Sequence, residues 1–186
     1  MALGGAMQAK GRWATRANAL SLLRLVVAPL LAAAVARRSP LAAAALLVVA
    51  IVTDLADGAV ARRHHEASAL GGLLDHAVDA TLCTAGLAAW ACRGQVPWLL
   101  PPLVAAAFTQ YVLDSRVLAG RMLRASRLGR WNGIAYYVLV AVPIGRDVLG
   151  LSGPGAAWIR AAGWLLVATT LVSMADRLLA LRRPQA

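Results

Sequence analysis

Acidic residues are scarce in this chain, eight in 186, and charged residues of both signs make up only 15% of it. Lysine and phenylalanine each occur once, and cysteine twice. Soluble domains carry about 25% charged and about 45–50% apolar residues, whereas this chain is 60% hydrophobic with a mean hydropathy of +0.67. So little charge excludes an ordinary soluble domain, and the length is better read as a number of membrane spans at about 20 residues each. The net charge of +11 does not point to nucleic acid, because no soluble basic domain exists to bind it. Cys83 and Cys92 lie on one apolar segment, turned about 180° from each other at about 100° per residue. They cannot pair within one helix and lack metal-site spacing, so they read as small apolar residues. No short apolar leader with a cleavage site follows residues 1–16, so the first apolar stretch reads as a retained helix.

Six apolar segments are present, roughly 19–36, 41–61, 71–92, 96–118, 132–150 and 156–180. Each is near the length that crosses a bilayer. Residues 12–24 read as an interfacial amphipathic helix leading into the first span, which Arg24 and Pro29 interrupt. The expected fold is therefore all-α: a polytopic membrane protein of six transmembrane helices preceded by an interfacial helix, in a single domain over 1–186. "SP" at 39–40, "GQVP" at 94–97 and "GLSGPG" at 150–155 mark turns. With both termini on one side, that side carries 13 of the 19 basic residues and the opposite side five, Arg24 standing apart within the helix. This bias makes the terminal side cytoplasmic. Arginine outnumbers lysine 18 to one, which suggests a bacterial source and its inner membrane. Trp98, Trp131 and Trp158 fall at span ends, where an aromatic belt explains them.

Against that apolar background, Asp54, Asp57, Asp75 and Asp79 supply half of all the acidic residues. Asp54 and Asp57 are i,i+3 and Asp75 and Asp79 are i,i+4, so each pair shares a helix face. The connection over 62–70 turns the second of these helices back along the first, so both pairs can converge near the cytoplasmic ends of spans two and three. Burying an aspartate in a span costs about 2.5–3.5 kcal/mol. Two like charges about 4 Å apart repel by about 4 kcal/mol at an effective dielectric of about 20. Something positive must sit among them, or some must be protonated. Hard oxygen ligands at this density favour Mg²⁺, Mn²⁺ or Ca²⁺ over zinc. Four carboxylates suffice for two ions, the arrangement that clamps attacking and leaving oxygens in displacement at phosphorus. Gly58 removes a side chain beside Asp57, Ala61 keeps the same face narrow, Arg62 offers a fork suited to phosphate, and Gly71 opens the next helix close by. These residues describe a site for a pyrophosphate-bearing substrate.

The run Asp54-x2-Asp57-Gly58-x2-Ala61-Arg62-x8-Gly71-x3-Asp75-x3-Asp79 resembles the signature of the CDP-alcohol phosphatidyltransferases at every fixed position. The resemblance implies that Asp54, Asp57 and Asp75 are metal ligands and that Asp79 both touches metal and acts as general base. It implies two ions, Mg²⁺ or Mn²⁺, and a CDP-linked lipid donor held by Gly58, Ala61 and Arg62, with Ser68 and Gly71 near the diphosphate. "NALSLLR" at 18–24 is similar to the family's amino-terminal Pro-Asn-x-x-Ser/Thr-x-x-Arg element, placing Asn18 at the nucleotide, although Ala17 stands where proline is usual. A homodimer is also implied by the resemblance.

The expected reaction moves a phosphatidyl-type group from the CDP-linked lipid, most simply CDP-diacylglycerol, to a small alcohol and releases CMP. The stretch 114–133 puts five arginines on the cytoplasmic side. Arg116, Arg124 and Arg130 are candidates to bind a phosphorylated acceptor such as glycerol 3-phosphate or inositol phosphate. The bland alternative is arginine meeting the phosphates of membrane lipids. Gly129-Arg130 resembles the Gly-Lys of glycerol-phosphate-using members, but Trp131-Asn132 does not continue that pattern. His64 and His65 read as solvated loop residues, and His76 as structural, one residue's turn off the aspartate face. Asp114, Asp147 and Asp176 read as partners for nearby arginines. Two rival functions remain: an intramembrane Mg²⁺-dependent prenyltransferase, which would not require Gly58 or Ala61-Arg62, and a divalent-cation carrier, whose carboxylates should line a path through the bilayer.

Overall fold

Long runs of alanine and leucine, with Pro and Gly clustered in the turns between them, favour helix over the other backbone states. The computed structural model describes residues 16–63, 69–117 and 127–182, and the side chains of 21–56, 72–113 and 127–180. Among these residues there are six helices and no strand: α1 Arg16–Ala36, α2 Pro40–Arg63, α3 Ala69–Cys92, α4 Leu100–Val117, α5 Arg127–Leu149 and α6 Ala156–Arg182. Each coincides with one of the six apolar segments. Within the described residues α1 runs unbroken through Arg24 and Pro29, so no separate interfacial helix precedes the first long one. Residues 12–15 of that expected element lie outside the described part.

Three helix ends close in the same way. Gly94 takes φ +69° after α3 while its N–H bonds Ala91 O and that of Gln95 bonds Trp90 O, satisfying carbonyls that the helix end would leave bare. Gly150, at φ +63°, follows α5 with Leu151 N–H on Arg146 O. After α1 the left-handed position falls to Arg38 at φ 56°, with Ser39 N–H on Ala34 O, and Pro40 then opens α2. The turn after α3, followed by Pro97, delays α4 until Leu100, four residues beyond the apolar segment's start.

α1 packs most extensively on α3 and α2, while α3 also touches α4 and α5, and α6 leans on α5 and α4. The shared core is apolar, with Ala28, Leu31, Leu82, Leu87, Trp90, Leu100, Val140 and Ile144 all buried. Small residues set the closest approaches, because they let helix backbones come near one another. A Cβ on Gly86 would stand 2.9 Å from Val140 Cγ1, and one on Gly163 2.4 Å from Pro97 Cδ. The outward faces are also apolar: Val48, Val52 and Leu55 on α2, Leu165 and Val172 on α6, and Trp98, Trp131 and Trp158 near helix starts are all exposed. α6, over Ala156–Ala180, is long and apolar enough to cross a membrane by length and composition, with mean hydropathy 1.4. Ser21–Ala36, Pro40–Ala56 and Leu100–Leu113 are shorter apolar stretches.

The end of the bundle away from the aspartates is tied by ions. Arg146 bonds Asp147 at 2.6 Å and Gln95 Oε1 at 3.1 Å, and Arg93 lies 3.6 Å from Asp147 while capping Val35 O. Asp147 thus pairs with nearby arginines, as its sequence context suggests.

Gly163 and Gly145 should respond oppositely to alanine. Gly163→Ala drives a methyl group into a rigid proline ring and is expected to lower the thermal midpoint of the detergent-solubilised protein. At Gly145, inside α5, an added Cβ meets nothing within 4 Å. Gly145→Ala should therefore stabilise by about 0.5–1 kcal/mol, the usual difference between glycine and alanine in a helix.

Candidate active site

The helical period determines where the site forms. Asp75 and Asp79, one turn apart on α3, face the same way, and α2 brings Asp54 up to them. α1 brings Arg24, which is 0% exposed although it is among the largest side chains in the chain. Its Nη1 donates to Asp54 Oδ1 at 2.5 Å and to Asp79 Oδ1 at 2.6 Å, and its Nη2 donates to Asp75 Oδ1 at 2.5 Å. The three carboxylates are only partly covered, with side-chain exposures of 42%, 33% and 29% for Asp54, Asp75 and Asp79. The buried cation is thus enclosed by its anions, and the anions keep access to whatever lies outside.

Asp79 has a further partner: Tyr137 Oη, from α5, donates to its Oδ1 at 2.7 Å. Every hydrogen bond found on Asp79 within the described residues falls on Oδ1, leaving Oδ2 unspent. Asp79 also reaches a second environment. A cavity of about 610 Å³ opens between α3, α4, α5 and α6, lined by Asp79, His76, Tyr137, Asn132, Arg130 and Arg177 among others. His76 stacks obliquely on Tyr111 at 5.6 Å, and the Arg177 guanidinium sits over the same tyrosine ring at 5.0 Å. Asp79 therefore stands where the ionic cluster meets the cavity.

The donor set suits a hard divalent cation. One ligand atom each from Asp75, His76 and Asp79 lie within 4.8 Å of one another, and Asp54 Oδ1 shares a guanidinium nitrogen with Asp79 Oδ1. Carboxylate oxygens at this spacing match Mg²⁺ or Mn²⁺, and no cysteine stands among them to favour a softer metal. Among the described residues, three carboxylates against one guanidinium also leave an excess of negative charge.

The residues expected from sequence divide into three groups. Asp54, Asp75 and Asp79 are brought together. Asp57, Gly58, Ala61 and Arg62 continue α2 beyond Asp54, Gly71 lies in the first turn of α3, Asn18 in that of α1, and Arg116 in the last turn of α4. The side chains of these seven are outside the described residues, as are Ser68 and Arg124 altogether. Arg130 is exposed at the start of α5 and lines the cavity. Sequence reasoning gave no role to Arg24, Tyr137 or Arg177 and set His76 aside. The available signal was an arginine inside an apolar run, too costly to bury without an anionic partner; Tyr137 and Arg177 belong to no short motif. The one-residue turn that points His76 off the aspartate face is compensated by the reach of its ring, which faces the cavity beside Asp79.

Among solved structures, none matches the chain. Two mycobacterial proteins do, each named "Probable phosphatidylglycerophosphate synthase", from Mycobacterium tuberculosis strains CDC 1551 / Oshkosh and ATCC 25618 / H37Rv. Each is 32% identical over 190 residues, an alignment covering 94% of this chain and 87% of the relative. The CDP-alcohol phosphatidyltransferase profile matches residues 14–175, a range that holds all six helices but for the last residues of α6. Members generally depend on a divalent cation, use a CDP-linked lipid and an alcohol, and are membrane-associated, in keeping with the carboxylate cluster and the apolar α6. By sequence signature, family-wide match and site chemistry together, this chain belongs to the CDP-alcohol phosphatidyltransferases and is a transferase of phospholipid synthesis.

Proposed function

We propose that the chain transfers the phosphatidyl group of CDP-diacylglycerol to a phosphorylated polyol, with glycerol 3-phosphate as the first candidate, and releases CMP. The observation that carries this reading is the position of Asp79, which touches the carboxylate cluster on one side and a cavity bearing Arg130 and Arg177 on the other. Guanidinium groups suit a phosphate dianion, and the cavity is large enough for a small polyol phosphate. The mycobacterial relatives are named for phosphatidylglycerophosphate as product, which supports glycerol phosphate over inositol phosphate here.

The residues divide the reaction between them. Asp54, Asp57, Asp75 and Asp79 hold two divalent ions, Mg²⁺ or Mn²⁺, whose chemistry is to neutralise the diphosphate and stabilise the departing CMP. Asn18, Gly58, Ala61, Arg62, Ser68 and Gly71 receive the CDP-lipid. Asp79 accepts the proton of the acceptor hydroxyl as that oxygen forms its bond to the lipid-side phosphorus and the bond from that phosphorus to CMP breaks. Tyr137 and Arg24 hold Oδ1 of Asp79, so its other oxygen is the one available for the proton. Arg130 and Arg177 orient the acceptor phosphate, and Arg116 and Arg124 remain acceptor-binding candidates from the sequence.

The surrounding architecture follows the same reading. Six helices with apolar outer faces form a six-span membrane domain. The concentration of arginine near the Asp79 end orients the site toward the cytoplasm of a bacterial inner membrane, where CDP and a water-soluble acceptor are found and the acyl chains stay in lipid. The protein works as a homodimer.

Asp79→Asn keeps the size of the side chain but removes its basicity, so CMP release should fall roughly 10²–10⁴-fold while the protein still purifies as a monodisperse species in detergent. Turnover close to wild type would remove Asp79 from proton transfer. Chelation with EDTA should abolish CMP release, and added Mg²⁺ or Mn²⁺ should restore it.

The acceptor is tested by a panel of glycerol 3-phosphate, inositol phosphate, inositol and serine, each with CDP-diacylglycerol and scored by CMP. Phosphorylated acceptors should lead, and Arg130→Gln should raise their KM roughly 10–100-fold, as expected for loss of a charge-assisted contact. Release with serine or inositol alone would overturn the phosphate reading.

A further inference from the structure

Arg24 has no place in the chemistry described so far beyond contact with Asp79, yet it is the most deeply buried charge among the described side chains. A guanidinium cannot shed its proton at any ordinary pH, so it enters an apolar bundle only if its partners repay the loss of water. Among the described side chains it meets at least three, contributed by two other helices. The choice of atoms is informative. The planar fork divides the work, Nη1 spanning Asp54 of α2 and Asp79 of α3 while Nη2 takes Asp75, the other aspartate of α3. A lysine ammonium is a point charge on a flexible stem and could not fix three carboxylates in this way. Asp75 retains its second oxygen, so contact with Arg24 and ligation of an ion do not compete for the same atom there.

We infer that Arg24 is a permanent, protein-borne cation of this centre: a positioning residue that keeps the three carboxylates assembled in register whether or not a divalent ion is bound. Without it the aspartates repel one another, α1 loses its polar tie to α2 and α3, and an arriving ion must gather its own ligands. With it the ligands are set beforehand, which is what efficient charge stabilisation in a transition state requires. The assembly half of this inference stands on geometry alone; the catalytic half rests on the proposed transfer reaction.

The test uses the full chain in detergent as wild type, Arg24→Gln and Arg24→Lys. Thermal midpoints are measured in EDTA and in saturating Mn²⁺, and kcat and KM for CMP release in saturating Mn²⁺. In EDTA, Arg24→Gln should melt roughly 6–20 °C below wild type, the scale of a broken buried ion pair in a chain of this size. Mn²⁺ should recover much of that loss in the variant and raise wild type much less. At saturating Mn²⁺ both variants should show kcat lowered roughly 10²-fold, the effect of a small misplacement of reacting groups, with little change in KM for the acceptor. If Arg24→Gln cannot be purified, Arg24→Lys decides: a midpoint near wild type with lowered kcat supports positioning by the fork. Equal midpoints in EDTA would overturn the assembly role, and wild-type kcat in saturating metal would overturn the positioning role. If wild type itself releases no CMP, the proposed reaction fails, while the EDTA midpoints still judge Arg24.

Discussion

An aspartate placed among apolar helices needs a cation nearby, and three of them need it in a fixed place. Repulsion between carboxylates about 4 Å apart is about 4 kcal/mol per pair at an effective dielectric of about 20, a large fraction of the 5–15 kcal/mol by which a folded domain usually exceeds its unfolded state. In this chain the first part of the answer is Arg24. Its guanidinium meets carboxylates from α2 and α3, and α1 makes its most extensive contacts with those same two helices. Electrostatics and packing therefore specify one arrangement: Val27, Ala28 and Leu31 can bury themselves against α2 and α3 only if Arg24 arrives at the aspartates. Residue 24 interrupts the hydrophobic run of α1 in sequence, yet in space it is what ties that helix down.

The cavity follows from what the other helices leave unfilled. α3 is shared: one part of its surface serves the ionic cluster, and another, carrying His76, Ala80 and Cys83, faces α4, α5 and α6. Asp79 lies where these surfaces meet. α5 contributes Tyr137 to one oxygen of Asp79 and Arg130 to the cavity, and α6 contributes Arg177, steadied by the ring of Tyr111 from α4. A transferase that joins a lipid donor to a water-soluble acceptor needs one group in contact with both binding regions. In the proposed transfer Asp79 fits that part, because a single residue of α3 belongs to two interfaces.

The legible part of this design was local. Helix positions follow from apolar runs and their Gly and Pro punctuation, and the pairing of Asp75 with Asp79 follows from a four-residue step on a helix. That α2 should bring Asp54 to them needs only a short connection and an antiparallel return. What could not be read depends on contacts far apart in the chain: Tyr137 reaches Asp79 across 58 residues and Arg24 across 55. Arg24 looked like a break in a span because hydropathy counts its charge and cannot count its partners. The same averaging lowers the mean hydropathy of α3, which carries Asp75 and Asp79, and of α5, which carries Arg130 and the Arg146–Asp147 pair.

Two ionic clusters occupy opposite ends of α3, roughly 20 Å apart at about 1.5 Å per residue, and their composition separates structure from function. Near Cys92, Arg93 and Arg146 share one carboxylate, Asp147, and spend their remaining donors on Val35 O, Pro154 O and Gln95 Oε1. Cations are in excess there, and neutral oxygens from the loops and α1 absorb the excess. Such a cluster is a brace: its charges find partners within the protein. Near Asp75 the balance is reversed. Among the described residues three carboxylates share one guanidinium, and a neutral hydroxyl such as Tyr137 adds no positive charge. A cluster in which the described anions outnumber the described cations is suited to receive a cation, and it lies against a cavity of about 610 Å³. The imbalance of charge, more than the number of charged residues, marks this end of the bundle as the one that works on a substrate.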